Sequence, residues 1–383
     1  MIKLRSRHAV LISAGCALAM AGSVLPAQAA SAGSGWRVSA SITGRSKGTV
    51  MTTLAVVSAR NAWALGFTDT RAKEFAVIRH WNGRTWSAVQ PPARIAAAWD
   101  RQLPDFVTAA ASRTSLLMFS AASTGSYLLH DGTHWSLGRL PGAGAYNSDD
   151  ITSAAVLGPD NAWALGVKSA DTSAGWRYST YAAHFNGSRW TTVPVPLAPS
   201  ATSPSLAFPA LSAVSPDNIW AISGSTVLRW TGGTASFVRA AVQPPLPKGA
   251  VLTSMTTGPG GRVWVAGLHG KTPFAARWNG SAWTLSSLPR RARGVTIISL
   301  TPHGQGGLWA VGVAHPGTPR VTTSLWRYAA GAWSGPVALH LGTGQQLFEV
   351  AAVPHTDSTW AAGAAKTRSI YHGLIAVTGP TPH

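Results

Sequence analysis

Apolar and polar positions alternate along this chain in short runs, and one such run recurs about every 50 residues. In most copies a large apolar residue occupies the first and third positions, and a small residue occupies the second and fourth. The copies are WALG at Trp63, WALG at Trp163, WAIS at Trp220, WVAG at Trp264, WAVG at Trp309 and WAAG at Trp360, with a degenerate LMFS at Leu117. Successive residues of a strand point to opposite faces, so each copy predicts a strand with one bulky and one small face. We expect the bulky face of one sheet to stack on the small face of the next.

A second landmark follows each copy and predicts a hairpin. Four copies match closely: HWNGRTW (80–86), LHDGTHW (129–135), HFNGSRW (184–190) and RWNGSAW (277–283). Looser versions are RWTGGTASF (229–237), RYAAGAW (327–333) and IYHG (370–373). Asn-Gly or Asp-Gly between two apolar runs is a strong hairpin signal, because a type I′ turn needs positive φ at both central residues. In the first copy we expect the hairpin arms at about 74–81 and 85–90.

Together these patterns predict an all-β fold, a seven-bladed β-propeller of four-stranded antiparallel blades. The WAxG run and the apolar run before it, such as 51–57, supply the two strands that precede each hairpin. The seventh copy lacks its final Trp-bearing strand, and Gly35-Trp36-Arg37-Val38 matches the missing sequence. We therefore expect the N-terminal strand to complete the last blade and close the ring. Residues 30–383 would form this single domain.

Residues 1–29 predict a signal peptide. Lys3, Arg5 and Arg7 precede an uncharged apolar run over 9–25, and Ala27-Gln28-Ala29 is a small-x-small cleavage pattern. We expect cleavage after Ala29 and a secreted protein with no stable membrane insertion. A lipoprotein attached through Cys16 and an uncleaved anchor are alternatives. Since Cys16 is the sole cysteine, the mature chain would have no disulfide and no thiol chemistry.

The charge of the chain is strongly positive. Lys and Arg number 31 against 12 Asp and Glu, a formal net charge of +19. Such basicity favours anionic partners such as cell-wall polymers or acidic glycans. The alternative is that scattered Arg residues only keep the surface soluble. The excess of Arg over Lys, with abundant Ala, Gly and Pro, is typical of a high-GC genome and suggests an actinobacterial source.

The repeat resembles that of secreted actinobacterial propeller proteins, which repeat WAVG followed by RWNGxxW, and more broadly the kelch and galactose-oxidase-like propellers. The likeness covers residues 35–378 and implies the architecture. The chain departs from kelch repeats, which place Gly-Gly ahead of separated Tyr and Trp. It also lacks a mature Cys for the thioether-linked Tyr of galactose oxidase. The resemblance implies no activity and transfers no functional residue.

Chemically active groups are scarce, so the sequence predicts a protein without catalytic residues, metal or cofactor. Asp160, Asp217 and Asp357 recur in the turn before WAxG, and Asp131 replaces the hairpin Asn. We interpret these four as structural. An extracellular polysaccharide hydrolase or lyase is the alternative, and its acids would come from Asp100, Asp105, Asp149 and Asp150. His80, His130 and His184 share a position with Arg229, Arg277 and Arg327, which indicates a repeat position and not a metal site.

Three Trp residues lie outside the repeat template and are informative for function. Trp326 lies two residues before Tyr328 on one strand face and is predicted to be core. The other two are expected on one face of the propeller, because blade-to-blade connections and second-to-third-strand loops emerge together. These are Trp99, with Asp100 and Arg101 in the connection 91–107, and Trp176, with Arg177 and Tyr178 in the insertion 169–180. They are candidates for stacking on sugar rings or anchoring a protein. The alternative is that each Trp folds back over its own loop.

The same face is expected to carry a basic cluster that binds phosphate or carboxylate groups. Its members are Arg290, Arg291 and Arg293 from one connection, and Arg320. The alternative is a solvated loop. The sequence thus predicts a secreted, monomeric, non-catalytic recognition propeller for a glycan, a cell-wall polymer or a protein. We expect no nucleic-acid partner, because the chain is predicted to be secreted and lacks both longer basic runs and aromatic–basic interleaving.

Overall fold

The computed structural model describes residues 35–43, 48–69, 74–100, 107–112, 115–120, 125–142, 149–197, 209–304, 306–315, 321–339, 341, 344–367 and 370–379. Strands dominate this part of the chain. The predicted signal peptide and Cys16 lie outside it, as do Arg101, Asp105 and Arg320. Within the described ranges one α-helix, α1 (Ala93–Asp100), and two short 3-10 turns, at Pro259–Gly261 and Arg290–Ala292, interrupt the strands.

The strands form antiparallel arrays of four, which we number in chain order. After β1 (Trp36–Ile42), array 1 contains β2 (Gly48–Ser58), β3 (Asn61–Asp69), β4 (Glu74–Trp81) and β5 (Trp86–Val89). Array 2 contains β6 (Val107–Ala111), β7 (Leu116–Ser120), β8 (Ser126–His130) and β9 (Trp135–Arg139). Array 3 contains β10 (Asp149–Gly158), β11 (Asn161–Thr172), β12 (Gly175–Phe185) and β13 (Trp190–Thr192). Array 4 contains β14 (Ala210–Ser215), β15 (Asn218–Ser223), β16 (Thr226–Thr231) and β17 (Val238–Arg239).

The remaining strands repeat this order. Array 5 contains β18 (Val251–Gly258), β19 (Arg262–His269), β20 (Thr272–Trp278) and β21 (Trp283–Ser287). Array 6 contains β22 (Val295–His303), β23 (Gly307–Ala314), β24 (Thr322–Ala329) and β25 (Ala332–Ser334). Array 7 contains β26 (Gln346–Ala352), β27 (Thr359–Thr367) and β28 (Ile370–Thr378), with β1 as its fourth strand. By backbone hydrogen bonding the strands form six sheets. Arrays 7 and 1 belong to one eight-stranded sheet, because a single parallel pair, Gly48 with Tyr371, joins them.

Contacts divide the chain into two compact units. The first comprises residues 1–90 and 301–383, which include arrays 1 and 7 and strands β23 to β25. The second comprises residues 91–300, which include α1 and arrays 2 to 5. The division between the units falls within β22.

The N-terminal strand completes array 7, as the sequence predicts. Strand β1 pairs antiparallel with β28, from Trp36 opposite Thr378 to Ile42 opposite Gly373. Trp36 is buried and meets the Trp309 ring edge-on, with centroids 5.6 Å apart. The two ends of the chain therefore share one array, which stabilises it without a covalent link.

Within each unit the bulky face of one array packs on the small face of the next, which confirms the stacking prediction. Trp163 and Leu165 of array 3 form one core cluster with Ile219 and Ala221 of array 4. The pattern recurs for Trp220 and Ile222 on Val263 and Val265, for Leu117 and Phe119 on Ala162 and Ala164, and for Trp360 and Ala362 on Ala62 and Ala64. Trp326 is buried as predicted, and its Nε1 donates to Ser324 Oγ at 2.9 Å.

The fourth position of the WAxG motif is glycine for a reason other than the stacking of one array on the next. In array 3 the innermost strand β10 has a bulge between Ile151 and Ser153. This bulge brings the Asp150 carbonyl oxygen within 2.1 Å of where a Cβ on Gly166 would lie. The same clash, at 1.9–2.1 Å, would occur at Gly66, Gly267 and Gly363. In array 4 the pairing of β14 with β15 ends at Ala210 opposite Ile222, so no β14 residue pairs with Ser223, which occupies the equivalent position.

The hairpin turns differ from the predicted type I′ geometry. The first loop contains four residues, from Asn82 to Thr85, between the paired Trp81 and Trp86. Only Gly83 has positive φ, at +94°, whereas Asn82 does not. The Asn82 side-chain oxygen instead accepts hydrogen bonds from the backbone N–H groups of Arg84 and Thr85, both at 3.0 Å. Asn is therefore selected as an internal acceptor and not for left-handed backbone geometry.

No helix among the described residues is long and apolar enough to cross a membrane.

We expect Gly166→Ala to destabilise the protein by about 1–3 kcal/mol, because the new Cβ displaces the bulged backbone of β10. Ser223→Ala is the matched control at the equivalent position of array 4, where no β14 residue pairs with β15. It should lose only the hydrogen bond between the Ser223 and Thr180 hydroxyls, about 1 kcal/mol. Urea or thermal unfolding measures both variants. An equal loss of stability in the two would show that the bulge does not select glycine.

Candidate functional site

Two kinds of loop gather at the same end of the arrays in the second unit. The turn between the second and third strands of an array lies beside the connection that leaves that array's fourth strand. Two backbone hydrogen bonds show this: Leu140 N–H to Gly125 O at 2.9 Å and Gly294 N–H to Lys271 O at 2.7 Å. In array 4, Leu252 at the start of β18, where the connection ends, donates its N–H to Gly224 O of the turn at 2.8 Å. We call this the loop-rich end of arrays 2 to 5. The shared placement that the sequence predicts for such loops is confirmed within this unit.

The β11–β12 hairpin of array 3 projects furthest from this end. Strand β11 continues six residues past Gly166, to Thr172, whereas β15 of array 4 stops at Ser223, the position equivalent to Gly166. At roughly 3.3 Å per residue the hairpin extends about 20 Å beyond its neighbour. Its turn is closed by the Thr172 hydroxyl, which donates to Gly175 O at 2.6 Å. The hairpin thus presents its tip to solvent as ordered β-structure.

One face of this hairpin points towards array 4. The Thr180 and Ser223 hydroxyls are hydrogen bonded at 2.6 Å, which assigns Thr180 to that face. By strand alternation Tyr178 and Trp176 share it. Asp171 lies directly opposite Trp176 in the strand register and is on the same face. We call Asp171, Trp176 and Tyr178 the hairpin face.

The opposite face of the hairpin points towards array 2. The Tyr181 hydroxyl donates to Pro141 O at 2.7 Å, and Lys168 Nζ donates to Gly142 O at 2.6 Å. Arg177 alternates with Tyr181 and belongs to this side. The structure therefore separates Arg177 from Trp176 and Tyr178, although the three are consecutive in sequence.

The hairpin face is open at its tip. Trp176 is 48% exposed, the largest exposed fraction among the large apolar side chains of the described chain. Asp171 is also exposed, and Tyr178 is partly buried. Trp176 is therefore exposed in part, and its role as a ligand-binding residue stays a prediction.

The structure contradicts the predicted exposure of Trp99. The sequence predicts an exposed Trp in an irregular connection, but residues 93–100 form the helix α1, which packs against β9. The helix starts after Pro92, whose carbonyl accepts the N–H groups of Ile95 and Ala96. Trp99 lies one turn after Ile95 and is only 1% exposed, so it is core and cannot stack on a ligand. The spacing of Ile95 and Trp99, in an Ala-rich run that follows Pro-Pro, was the signal for this helix.

The Arg-rich connection between arrays 5 and 6 is anchored by its apolar residues. It forms a 3-10 turn over Arg290–Ala292, in which Ala292 N–H donates to Pro289 O at 2.8 Å. Leu288 and Ala292 are buried. Arg290, Arg291 and Arg293 are exposed, as is Lys271 on the adjacent β19–β20 turn. The Gly294–Lys271 backbone hydrogen bond therefore adds a fourth cation that sequence reasoning did not include.

No carboxylate neutralises these cations within the local sequence. The chain contains no Asp or Glu between Asp217 and Glu349. The same interval contains eleven basic residues: Arg229, Arg239, Lys248, Arg262, Lys271, Arg277, Arg290, Arg291, Arg293, Arg320 and Arg327. The net charge of the protein is therefore not evenly scattered but concentrated in arrays 4 to 6.

The position shared by His and Arg is structural, as predicted, for five of its six members. His80 and His184 lie beside Trp63 and Trp163 with ring centroids 4.2 and 4.3 Å apart. The guanidinium groups of Arg229, Arg277 and Arg327 lie 5.3–5.6 Å from the rings of Trp220, Trp264 and Trp309. His130 is the exception, because it pairs with Leu116 and Trp135 and occupies the place of Trp81.

His184 is held by contacts within its own array. Burial lowers the pKa of His184, which keeps its ring neutral near pH 7. Its Nε2 is hydrogen bonded to Asn161 Oδ1 at 3.2 Å. Across the described ranges no three His, Cys, Asp or Glu residues lie close enough to hold a metal ion.

Among the predicted structural acids, Asp131 has the clearest role. Its Oδ1 accepts the backbone N–H groups of Thr133 and His134, at 2.9 and 2.7 Å, and these bonds lower its pKa. Asp160 and Asp217 lie against the turn glycines Gly187 and Gly232, as expected for residues that hold turns. The side chains of Asp100 and Asp149, like Asp105, are outside the described part of the chain. The acid pair of a hydrolase thus stays a prediction.

Glu349 is a buried titratable residue that the sequence analysis did not identify as distinctive. It lies on β26, and its Oε2 accepts the backbone N–H of Leu54 on β2 at 2.8 Å. Burial raises the pKa of this carboxyl to about 8, and the Leu54 hydrogen bond opposes the shift. The carboxyl is therefore largely protonated at neutral pH. The apolar residues on either side of it in sequence, Phe348 and Val350, were the available signal.

Comparisons with known proteins find likeness in structure alone. No protein-family model and no curated protein sequence matches the chain. A catalytically inactive virginiamycin B lyase from Staphylococcus aureus, solved with quinupristin, has a TM-score of 0.58 at 12% identity, covering 90% of this chain and 100% of its own. YCF48 bound to D1 peptide has a TM-score of 0.57 at 14% identity, covering 92% and 97%. YCF48 from Cyanidioschyzon merolae has a TM-score of 0.54 at 14% identity, covering 90% and 98%.

These neighbours are β-propellers, and at such identities the likeness shows the fold alone. The chain is therefore an all-β protein of β-propeller architecture, built of four-stranded antiparallel sheets. The resemblance to actinobacterial repeat proteins and to kelch proteins stays a prediction, since no sequence family supports it.

We expect the stability of the protein to fall as the pH rises from about 5 to 8, because Glu349 must ionise in a buried place. Its folded pKa of about 8 exceeds its unfolded value of about 4.5, so its contribution is complete below pH 4.5 and is lost through pH 8. Glu349→Gln keeps an acceptor for Leu54 and cannot ionise. Its Tm should rise relative to wild type by a few degrees, about 2 °C per kcal/mol, over this pH range. Asp171→Asn, which removes an exposed carboxylate, controls for net charge. A Tm difference between wild type and Glu349→Gln that does not vary with pH would contradict the assignment.

Proposed function

We propose that this protein is a secreted, non-catalytic recognition propeller that binds an extracellular glycan on the hairpin face of array 3. The observation that carries the proposal is the projecting β11–β12 hairpin, which holds Trp176 and Asp171 side by side in solvent. An exposed Trp fixed on paired strands has no role in the core.

The chemistry of the hairpin face suits a sugar. The apolar face of a sugar ring stacks on an indole such as that of Trp176, and the Tyr178 ring extends this surface on the same side of β12. The Asp171 carboxylate accepts hydrogen bonds, and sugar hydroxyls donate them. A stacking surface beside a hydrogen-bond acceptor fixes the orientation of a bound sugar ring as well as its position.

The framework for this binding is a seven-bladed propeller. This proposal divides the eight-stranded sheet at its single Gly48–Tyr371 pair, which gives two four-stranded arrays beside the five other sheets. Each array would be one blade, and β1 would close the seventh. A rigid framework of this kind limits the conformational entropy lost when a loop-borne site binds its ligand.

Export is supported by the sequence of the first 30 residues. A basic start, an apolar run and an Ala-Gln-Ala pattern predict cleavage by signal peptidase after Ala29. The mature chain would meet glycans outside the cell as a monomer.

We expect the mature chain, from Ala30, to bind at least one member of a panel of cell-wall polysaccharides, with a change in Trp fluorescence. Trp176→Ala should weaken this binding about 10-fold, because stacking on the indole is lost. Isothermal titration calorimetry would measure the affinity, and binding should persist at high salt because stacking is not screened. Asp171→Asn should cause a smaller loss.

Phe75→Ala is the matched control. Phe75 is 38% exposed and lies near the end of the corresponding β3–β4 hairpin in array 1. Its removal should leave the affinity unchanged. Equal affinities of wild type and Trp176→Ala for every bound glycan would contradict the proposal, and a blank panel with a stable complex in pull-downs would favour a protein partner.

A further inference from the structure

We propose that the basic connection between arrays 5 and 6 is a second binding site, which docks a phosphate-bearing polymer of the cell envelope. We define it as the Arg-Lys surface: Arg290, Arg291, Arg293 and Lys271. It is separate from the hairpin face of array 3 and does not depend on glycan binding there.

The backbone of the Arg-Lys surface is held in place before any ligand arrives. Leu288 and Ala292 anchor the turn in the core, and Leu288 N–H donates to Pro273 O at 3.3 Å. Arg293 N–H donates to Arg290 O at 3.1 Å, and Gly294 N–H joins the turn to Lys271. Buried Leu288 and Ala292 thus lie on either side of exposed Arg290 and Arg291 in a fixed turn, which distinguishes it from a solvated loop whose charges spread at random.

Among the described residues the four cations have no counter-charge. No ion pair joins them to any carboxylate that the structure describes. Four like charges on two adjoining turns repel one another, and the acid-free interval from Asp217 to Glu349 removes the usual means of offsetting this repulsion. Binding of an external anion relieves the repulsion, so the arrangement favours a ligand of high negative charge density.

The geometry and the residue types favour phosphate. In a 3-10 turn, residues three apart lie on the same side, so Arg290 and Arg293 project together. Guanidinium groups bind phosphate oxygens through two parallel hydrogen bonds, and Lys271 adds a point charge beside them. Exposed cations at one spot bind a single phosphate weakly. A polymer that offers several phosphates along its length engages all four cations and releases many counterions.

The experiment uses the mature chain and a synthetic poly(glycerol phosphate) as the probe, at 50 and 200 mM NaCl. Wild type should bind at low salt and lose about 10- to 50-fold in affinity at the higher salt. The triple variant Arg290→Gln, Arg291→Gln, Arg293→Gln should bind at least about 10-fold more weakly at low salt, and the slope of log K against log salt should fall by about 2. A triple variant that binds like wild type would overturn the proposal.

The control triple variant Arg84→Gln, Arg189→Gln, Arg239→Gln removes the same net charge from exposed positions outside the Arg-Lys surface. It should retain most of the affinity. An equal loss in both triple variants would mean that net charge alone drives binding, which contradicts a defined site. The triple Arg→Lys variant at 290, 291 and 293 should keep the salt dependence but bind more weakly than wild type, because the paired hydrogen bonds are lost.

Further arms identify the source of the phosphate. Inorganic phosphate at equal phosphate concentration should not displace the polymer, and displacement would indicate a site for a single anion. Vesicles of phosphatidylglycerol or a DNA oligonucleotide should bind more weakly than the polymer, and tighter binding of either would overturn the choice of ligand. Trp176→Ala should bind the polymer like wild type, so failure of the glycan site and failure of the phosphate site are distinguishable.

Discussion

The packing of large residues on small ones, array against array, is the interaction on which the described structure depends. A four-stranded array of short strands cannot bury its apolar faces alone. The motif WAxG resolves this by giving each array one face of Trp and Leu and one of Ala and Gly. Trp163 of array 3 fills the space left by Ala221 of array 4, and Trp360 of array 7 fills the space beside Ala62 and Ala64 of array 1. A second constraint acts at the fourth position, where the bulged innermost strand leaves no room for a Cβ on Gly166.

Because the core packing involves only the motif strands, the loops at the loop-rich end can vary in length. The packing uses only the four residues of the motif and their partners, so a hairpin can lengthen beyond the motif without disturbing the core. Array 3 does so in β11 and β12, and array 4 does not. The Tyr181 and Lys168 contacts on one side and the Thr180 contact on the other hold the base of the longer hairpin between its neighbours. Its tip then carries Trp176 at a defined height, which is what a binding site requires.

The charged residues also divide between the packed framework and the exposed loops. The framework contains few ionisable groups, and the buried one, Glu349, is kept protonated because its surroundings cannot solvate a carboxylate. The basic residues divide into two sets. Arg229, Arg277 and Arg327 stack on the motif Trp residues, whereas Arg290, Arg291 and Arg293 extend from an anchored turn into solvent. The first set stabilises the arrays, and the second remains available to an anion.

The sequence by itself determined the strands of the repeat, their order and the pairing of the N-terminal strand with the last array, because these depend on local alternation and on a repeat that can be counted. Tertiary structure alone decided the burial of Trp99, which a helix turns onto β9, and the glycine requirement at Gly166, which a bulge in a different strand imposes. It also decided the proton on Glu349 and the approach of Lys271 to the Arg-rich turn. Each of these depends on which distant part of the backbone lies against a residue. The residue and its neighbours in sequence do not specify that contact.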